Sequence, residues 1–362
     1  MTLALAWIAT AFAAQADPEP RRPHVEVRGI YGGVPSELWK DGKTLADSGV
    51  NAVWVGSGSV TEEAVRTLRQ QGARVYAEFN TMHGAGFLKQ DPDAAPVGAD
   101  GKVCPPPSGW QGICPTHPAY RKGRMDEFRA LLGKFEIDGV WLDYHHAHAS
   151  WEREKPQMPD TCFCGRCLKR FSAESKTALP EAPTSELSAL LLGRHREAWV
   201  QWRCDLFTDW VREFREIRDA VRPKALLGTF HCPWSEADLD GAIRSKLAID
   251  LKAQAKHLDV FSIMPYHARF GHAADPAWIS RQTQWLGKHL GVEGKPGERI
   301  RIWPILQLSD WGEKVPARQV REVLDHGTRL PATGAMFFHW SGLRGQPEKV
   351  AEALKFYRAI RP

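Results

Sequence analysis

Short apolar runs rich in β-branched and aromatic residues alternate along the chain with longer stretches whose apolar positions recur every three or four residues. The first pattern predicts buried strands and the second amphipathic helices. Strands are predicted at Val25–Tyr31, Asn51–Val55, Arg74–Phe79, Gly139–Asp143, Ala225–His231, Asp259–His267, Ile300–Leu308 and Gly334–Trp340. Helices are predicted between them. They cover Ser36–Ser48, a stretch opened by an S-x-x-E capping box at Ser59 and Glu62, and the segment through Met125, Phe128, Leu132 and Phe135. Later ones cover Trp199–Val221, Ile243–Leu258, Trp278–Leu290, Pro316–His326 and Pro347–Ile360. Strands that alternate with helices in this way predict an α/β fold, a (β/α)8 TIM barrel over residues 24–362. An open doubly wound sheet would want a glycine-rich phosphate turn, and Gly56-Ser57-Gly58 lacks the third glycine and the acidic partner.

Two connections are much longer than the rest. Asp91–Trp110 follows strand three and His145–Pro183 follows strand four. In a barrel such insertions wall the pocket at the C-terminal face. Between them lies IDGVWLDYHHAH, from Ile137 to His148, an apolar strand ending abruptly in Asp143 and Tyr144. Asp143 is therefore the leading catalytic candidate. Glu78 ends strand three, Asp310 follows strand seven, and Glu152 and Glu236 lie in the loops after strands four and five. Strands converging on one mouth can bring such carboxylates together, and glycosidic cleavage commonly uses two of them. Asp143 is expected as nucleophile or base, Glu78 or Glu236 as the acid, and Asp310 as a transition-state stabiliser or second acid. Tyr144, His145, His146, Glu152, His231, Trp234, Tyr266, His267, His339 and Trp340 are expected to contact substrate, by hydrogen bonds or by stacking on sugar rings.

The remaining features narrow the class. A net charge of +5 without a dense basic block argues against nucleic acid as a partner. Fifteen tryptophans point mildly toward carbohydrate. Residues 1–16 form an apolar run ending in Ala14-Gln15-Ala16, expected to be a signal peptide followed by a linker at 17–23, so the protein is expected to be secreted or periplasmic. No stable membrane span is expected, because the run is short. Cys162, Cys164 and Cys167 form CFCGRC, which in a cytosolic protein would point to zinc. Three ligands need a fourth, and none stands at a standard spacing. With an export signal a disulfide is expected instead, with Cys104 and Cys114 able to pair with each other or with the cluster. The H-x-H pattern of barrel metallohydrolases is absent from strand one, where Gly29-Ile30-Tyr31-Gly32 stands. No cofactor and no catalytic metal are expected, although a metal-dependent hydrolase using the His-rich mouth is an alternative. A non-catalytic glycan-binding barrel is another.

DGVWLDYHHAHASWE followed by DTCFCGRC-LKRF resembles a bacterial group of glycoside-hydrolase-like TIM-barrel proteins, in which a DG-x-x-LDY strand four precedes a CFC-x-x-C segment. VYAEF at 75–79, ICPTHPAYR at 113–121 and DVFSIMPYH at 259–267 are similar to that group as well. The resemblance implies a barrel acting on a carbohydrate substrate. More distantly, Asp143 resembles the strand-four nucleophile of α-amylase-like and α-galactosidase-like families, although strand five ends in Thr229-Phe230-His231 where the amylase-like pattern has Glu.

Overall fold

A computed structural model describes residues 22–361. The expected signal peptide and the linker up to residue 21 lie outside the described residues. Nine parallel segments form one sheet: β1 Val27–Tyr31, β2 Ala52–Gly56, β3 Arg74–Asn80, β4 Gly139–Asp143, β5 Leu226–His231, β6 Val260–Ile263, β7 Arg301–Ile302, β8 Ile305–Gln307 and β9 Gly334–Phe338. Each of the first six pairs with the next in the chain, and β9 pairs with both β1 and β8. β7 and β8 are two halves of one barrel strand. They are separated only by Trp303 and Pro304, because proline cannot donate to the ladder. The Trp303 N–H donates backward to Phe261 and the Pro304 carbonyl accepts forward from Met336, so the interrupted strand still closes the eight-stranded barrel.

The helical layer departs from the sequence expectation in three places. Ser36–Ser48 is not a continuous helix but two short 3-10 turns, Ser36–Gly42 and Ala46–Ser48. Ile243–Leu258 contains only two single-turn helices, Ala242–Ser245 and Leu251–Gln254. The helix expected to open at Ser59 and Glu62 begins at Glu62. Thr61 caps it, its side chain accepting from the Ala64 N–H.

The barrel interior is aromatic. Trp54, Tyr76, Trp141 and Trp303 are fully buried, with Trp141 at 4.7 Å from Tyr76, 5.2 Å from Trp54 and 5.7 Å from Trp303, measured between ring centroids. Glycine makes the room for them. A Cβ at Gly29 would lie 2.3 Å from the Trp54 ring, and one at Gly228 would lie 2.3 Å from Trp141. Many of the tryptophans that pointed toward carbohydrate are thus core packing, buried because no smaller residue would fill this interior.

The two long insertions are laced together over the barrel mouth. Gly98 bridges Thr161, and the Phe163 N–H donates to the Val97 carbonyl at 2.9 Å. The His148 Nδ1 accepts from the Gly112 N–H at 2.9 Å, and its Nε2 meets the Pro105 carbonyl. This histidine is a strut between the walls.

Candidate active site

Strand register brings the first carboxyl pair together. β3 and β4 run parallel with Asn80 opposite Asp143, so Glu78 sits one inward-facing position deeper on the neighbouring strand. The Glu78 and Asp143 carboxyls are in hydrogen-bonding contact. Two buried carboxyls this close cannot both ionise, so the pair retains a proton. Burial, then Glu78, then Glu152 push Asp143 well above the usual carboxylate range. Both backbone ends of this strand tip are fixed. The Asp143 carbonyl accepts from the Thr81 N–H and hydroxyl, each at 2.9 Å, and its Oδ1 accepts from the Tyr144 N–H at 2.9 Å. Tyr31, at the end of β1, donates its hydroxyl to Glu78 Oε2 at 2.7 Å and orients that carboxylate.

Tyr144 follows with φ of 51°, a left-handed conformation uncommon for a side chain of its size. The turn throws its ring into a cavity of about 200 Å3 lined by Trp110, His146, Trp151, Glu152, Arg269 and Trp311 among others. Trp110 stacks on His146 at 4.9 Å and lies 5.8 Å from Tyr144. Glu152 is a third acid in the same electrostatic cluster. Burial pushes its carboxyl up to about 7, with Arg269 pulling the other way and Glu78 adding to the rise. Arg269 braces this wall. Its Nε donates to the Glu152 carbonyl at 2.8 Å, its Nη1 to the Trp311 carbonyl at 3.1 Å, and its guanidinium lies over the Trp311 ring. Tyr266, just past β6, is fully buried with no partner for its hydroxyl. Burial and the charges of Glu152, Asp143 and Glu78 hold that hydroxyl protonated. It is therefore a free donor beside the three acids.

Of the other residues expected at the site, His146 lines the cavity and the rest are placed elsewhere. Glu236 is exposed and faces His289 on the outer helical layer, 3.8 Å away. Asp310 is tied to the Lys349 ammonium at 2.7 Å and to the Val315 N–H. These outweigh its partial burial and hold it below the usual range, so it is a structural ion pair. His145 is buried between Thr81 and the Phe207 carbonyl, and burial pushes it down to about 4, so it is a neutral packing residue. His146 lines the cavity but gives its Nδ1 to the Ala147 carbonyl. His231 is buried at the tip of β5, with Nδ1 at the Cys232 carbonyl and Nε2 unpartnered. His267 is fully buried beside Gln319. His339 caps the turn Trp340–Leu343, and Trp340 is a core residue donating to Glu37. Trp234 packs 6.1 Å from Trp151 behind the cavity wall.

Tyr31, Trp110 and Arg269 were missed among the site residues. Tyr31 was in view at the end of strand one, in the position searched for a metal-binding histidine. Trp110 ends the insertion already expected to wall the pocket. Arg269 follows MPYH by two residues and carried no sequence signal of its own. Tyr31→Phe removes a buried hydrogen bond to a carboxylate, an interaction of about 1.5–3 kcal/mol. A drop of roughly 10- to 100-fold in kcat/KM with little change in KM is expected; an unchanged kcat/KM in steady-state kinetics would refute the orienting role.

No family model and no curated protein matches the chain. Similar solved structures exist. The glycoside hydrolase domain of PgaB from Bordetella bronchiseptica superposes with a TM-score of 0.64 at 13% identity, over 87% of this chain and 90% of that one. A beta-galactosidase from the Antarctic haloarchaeon Halorubrum lacusprofundi gives 0.63 at 13%, over 92% of this chain and 57% of its own. A GH42 beta-galactosidase from G. stearothermophilus gives 0.61 at 15%, over 95% and 58%. The chain thus spans little more than half the length of these beta-galactosidases. At such identities the likeness speaks to architecture: the chain has the (β/α)8 barrel fold found in these glycoside hydrolases.

Proposed function

We propose that the chain is a glycoside hydrolase whose chemistry is shared between the Asp143–Glu78 pair and Glu152. The observation that carries this reading is the contact pair of carboxyls at the tips of β3 and β4, with a third acid poised near neutrality in an aromatic-walled cavity. Two carboxyls that flank a glycosidic bond stand roughly 5 Å or more apart. Asp143 and Glu78 touch, so they act on one side of the bond as a unit of single negative charge. Glu152 is the separate partner. With its proton held to about pH 7 it is suited to protonate the leaving oxygen, as a general acid of matched pKa does. The ionised member of the pair faces the positive charge that develops at the anomeric carbon, either by direct attack or by activating water.

Trp110, Tyr144 and Trp311 offer apolar faces for a sugar ring, and the free Tyr266 hydroxyl offers a donor. The cavity, at about 200 Å3, is smaller than the roughly 300–1,000 Å3 of drug-sized ligand sites, so one terminal sugar unit is the portion it would enclose. The apolar leader supports an exported enzyme acting on external glycans. Incubation of the protein with a panel of polysaccharides and oligosaccharides tests the proposal. Release of new reducing ends from at least one of them is expected. Saturable binding without release from any of them would replace it with the glycan-binding barrel.

A further inference from the structure

Cys162, Cys164 and Cys167 lie in the insertion after β4, and Cys114 lies in the insertion after β3. The fold brings all four Sγ atoms within 4.8 Å of one another. No disulfide joins the seven cysteines in the structure. Cys104 stands outside the cluster. The fourth ligand that no sequence spacing supplied comes from the other wall of the pocket. From these positions we infer a structural zinc site made of the Cys114, Cys162, Cys164 and Cys167 thiolates.

The spacing fits the metal. A tetrahedron with Zn–S bonds of about 2.3 Å has S···S edges of about 3.8 Å. Cys114 Sγ lies 3.5 Å from Cys164 Sγ and 3.7 Å from Cys167 Sγ. Four thiolate ligands with no open position are the pattern of a structural rather than a catalytic centre. The surroundings suit a net negative cluster. The Val97 N–H donates to Cys162 Sγ at 3.3 Å, and the Thr116 hydroxyl lies 3.2 Å from Cys114 Sγ and 3.3 Å from Cys167 Sγ. Cys164 is the N-cap of the helix Gly165–Ser175 and Cys167 sits in its first turn, where the helix dipole favours negative charge. The Arg166 guanidinium also lies against Cys114. The centre would pin the two loops that carry Trp110 and Glu152, and so fix the width of the cavity between them. This inference concerns the walls and stands whether or not the barrel hydrolyses glycans.

Elemental analysis of the purified full-length protein is expected to find about one zinc per chain. Cobalt exchange is expected to give the visible absorption of a tetrahedral thiolate centre. Cys164→Ser should lose the metal and lower the melting temperature, while Cys204→Ser, at a buried thiol outside the cluster, should keep one equivalent. If Cys164→Ser fails to fold, Thr116→Val serves instead; it should weaken zinc about 10- to 100-fold in chelator competition by removing a hydroxyl beside two ligands. Three results would overturn the assignment: wild-type protein that takes up no zinc after reconstitution with Zn2+ under reducing conditions, peptide mapping that joins two of the four cysteines in a disulfide, or iron in place of zinc.

Discussion

Asp143→Asn is expected to cost about 100- to 10,000-fold in kcat on any glycan the wild-type protein cleaves, without loss of the fold. Asn keeps the shape of Asp143 and can donate to Glu78 as the protonated acid does, but it cannot exchange a proton during turnover. The same substitution is expected to leave the melting temperature at neutral pH unchanged or higher. The sign follows from the buried pair. Asp143 has a folded pKa raised well above its unfolded value, so between the two the unfolded chain is ionised while the folded chain must hold a proton. That difference lowers stability progressively as pH rises from the unfolded pKa of about 3.9 toward the folded one. Asn removes this cost. Calorimetry and steady-state kinetics on the same preparation check both halves. Lost activity with a lower melting temperature would make Asp143 a structural residue, and retained activity would remove it from the chemistry.

Glu152→Gln is expected to have the second large effect, a fall of about 100-fold or more in kcat on glycans with poor leaving groups. The pH dependence distinguishes its role. A general acid with a pKa of about 7 is in its working form below that pH, so wild-type activity should decline as pH rises through about 7. In Glu152→Gln that limb should disappear and leave a low, flatter profile. Persistence of the same limb in the variant would assign the titration to another group and Glu152 to substrate binding alone.

The barrel was legible because each strand is a short apolar run between polar breaks, and because the core face of most helices repeats every three or four residues. Two devices hid the exceptions. Pro304 splits one apolar run into two paired segments, and the residues of Ile243–Leu258 that looked helical are buried by loop packing with only two turns of helix. At the site, Asp143 was visible because a strand ended abruptly in polar residues. Its partner was less so. Glu78 lies two residues inside β3, and only the register between β3 and β4 shows that it reaches Asp143. The histidines misled for a physical reason. Residues that follow a strand tip can turn into the wall as readily as into the mouth, and His145 and His148 turn inward to satisfy backbone carbonyls. Cys114 was in view only as a disulfide partner of CFCGRC and not as its fourth metal ligand, because that geometry depends on two insertions folding over each other, which no local spacing encodes.

The most direct test of the acid and charge assignment compares two leaving groups. Kinetics of wild-type protein and Glu152→Gln are measured on a natural glycoside and on an aryl glycoside of the same sugar whose phenolate departs without protonation. Because the variant lacks only the proton donor, Glu152→Gln should lose activity on the natural glycoside and retain most of it on the aryl glycoside, while Asp143→Asn loses both. Equal losses of Glu152→Gln on the two substrates would contradict the account.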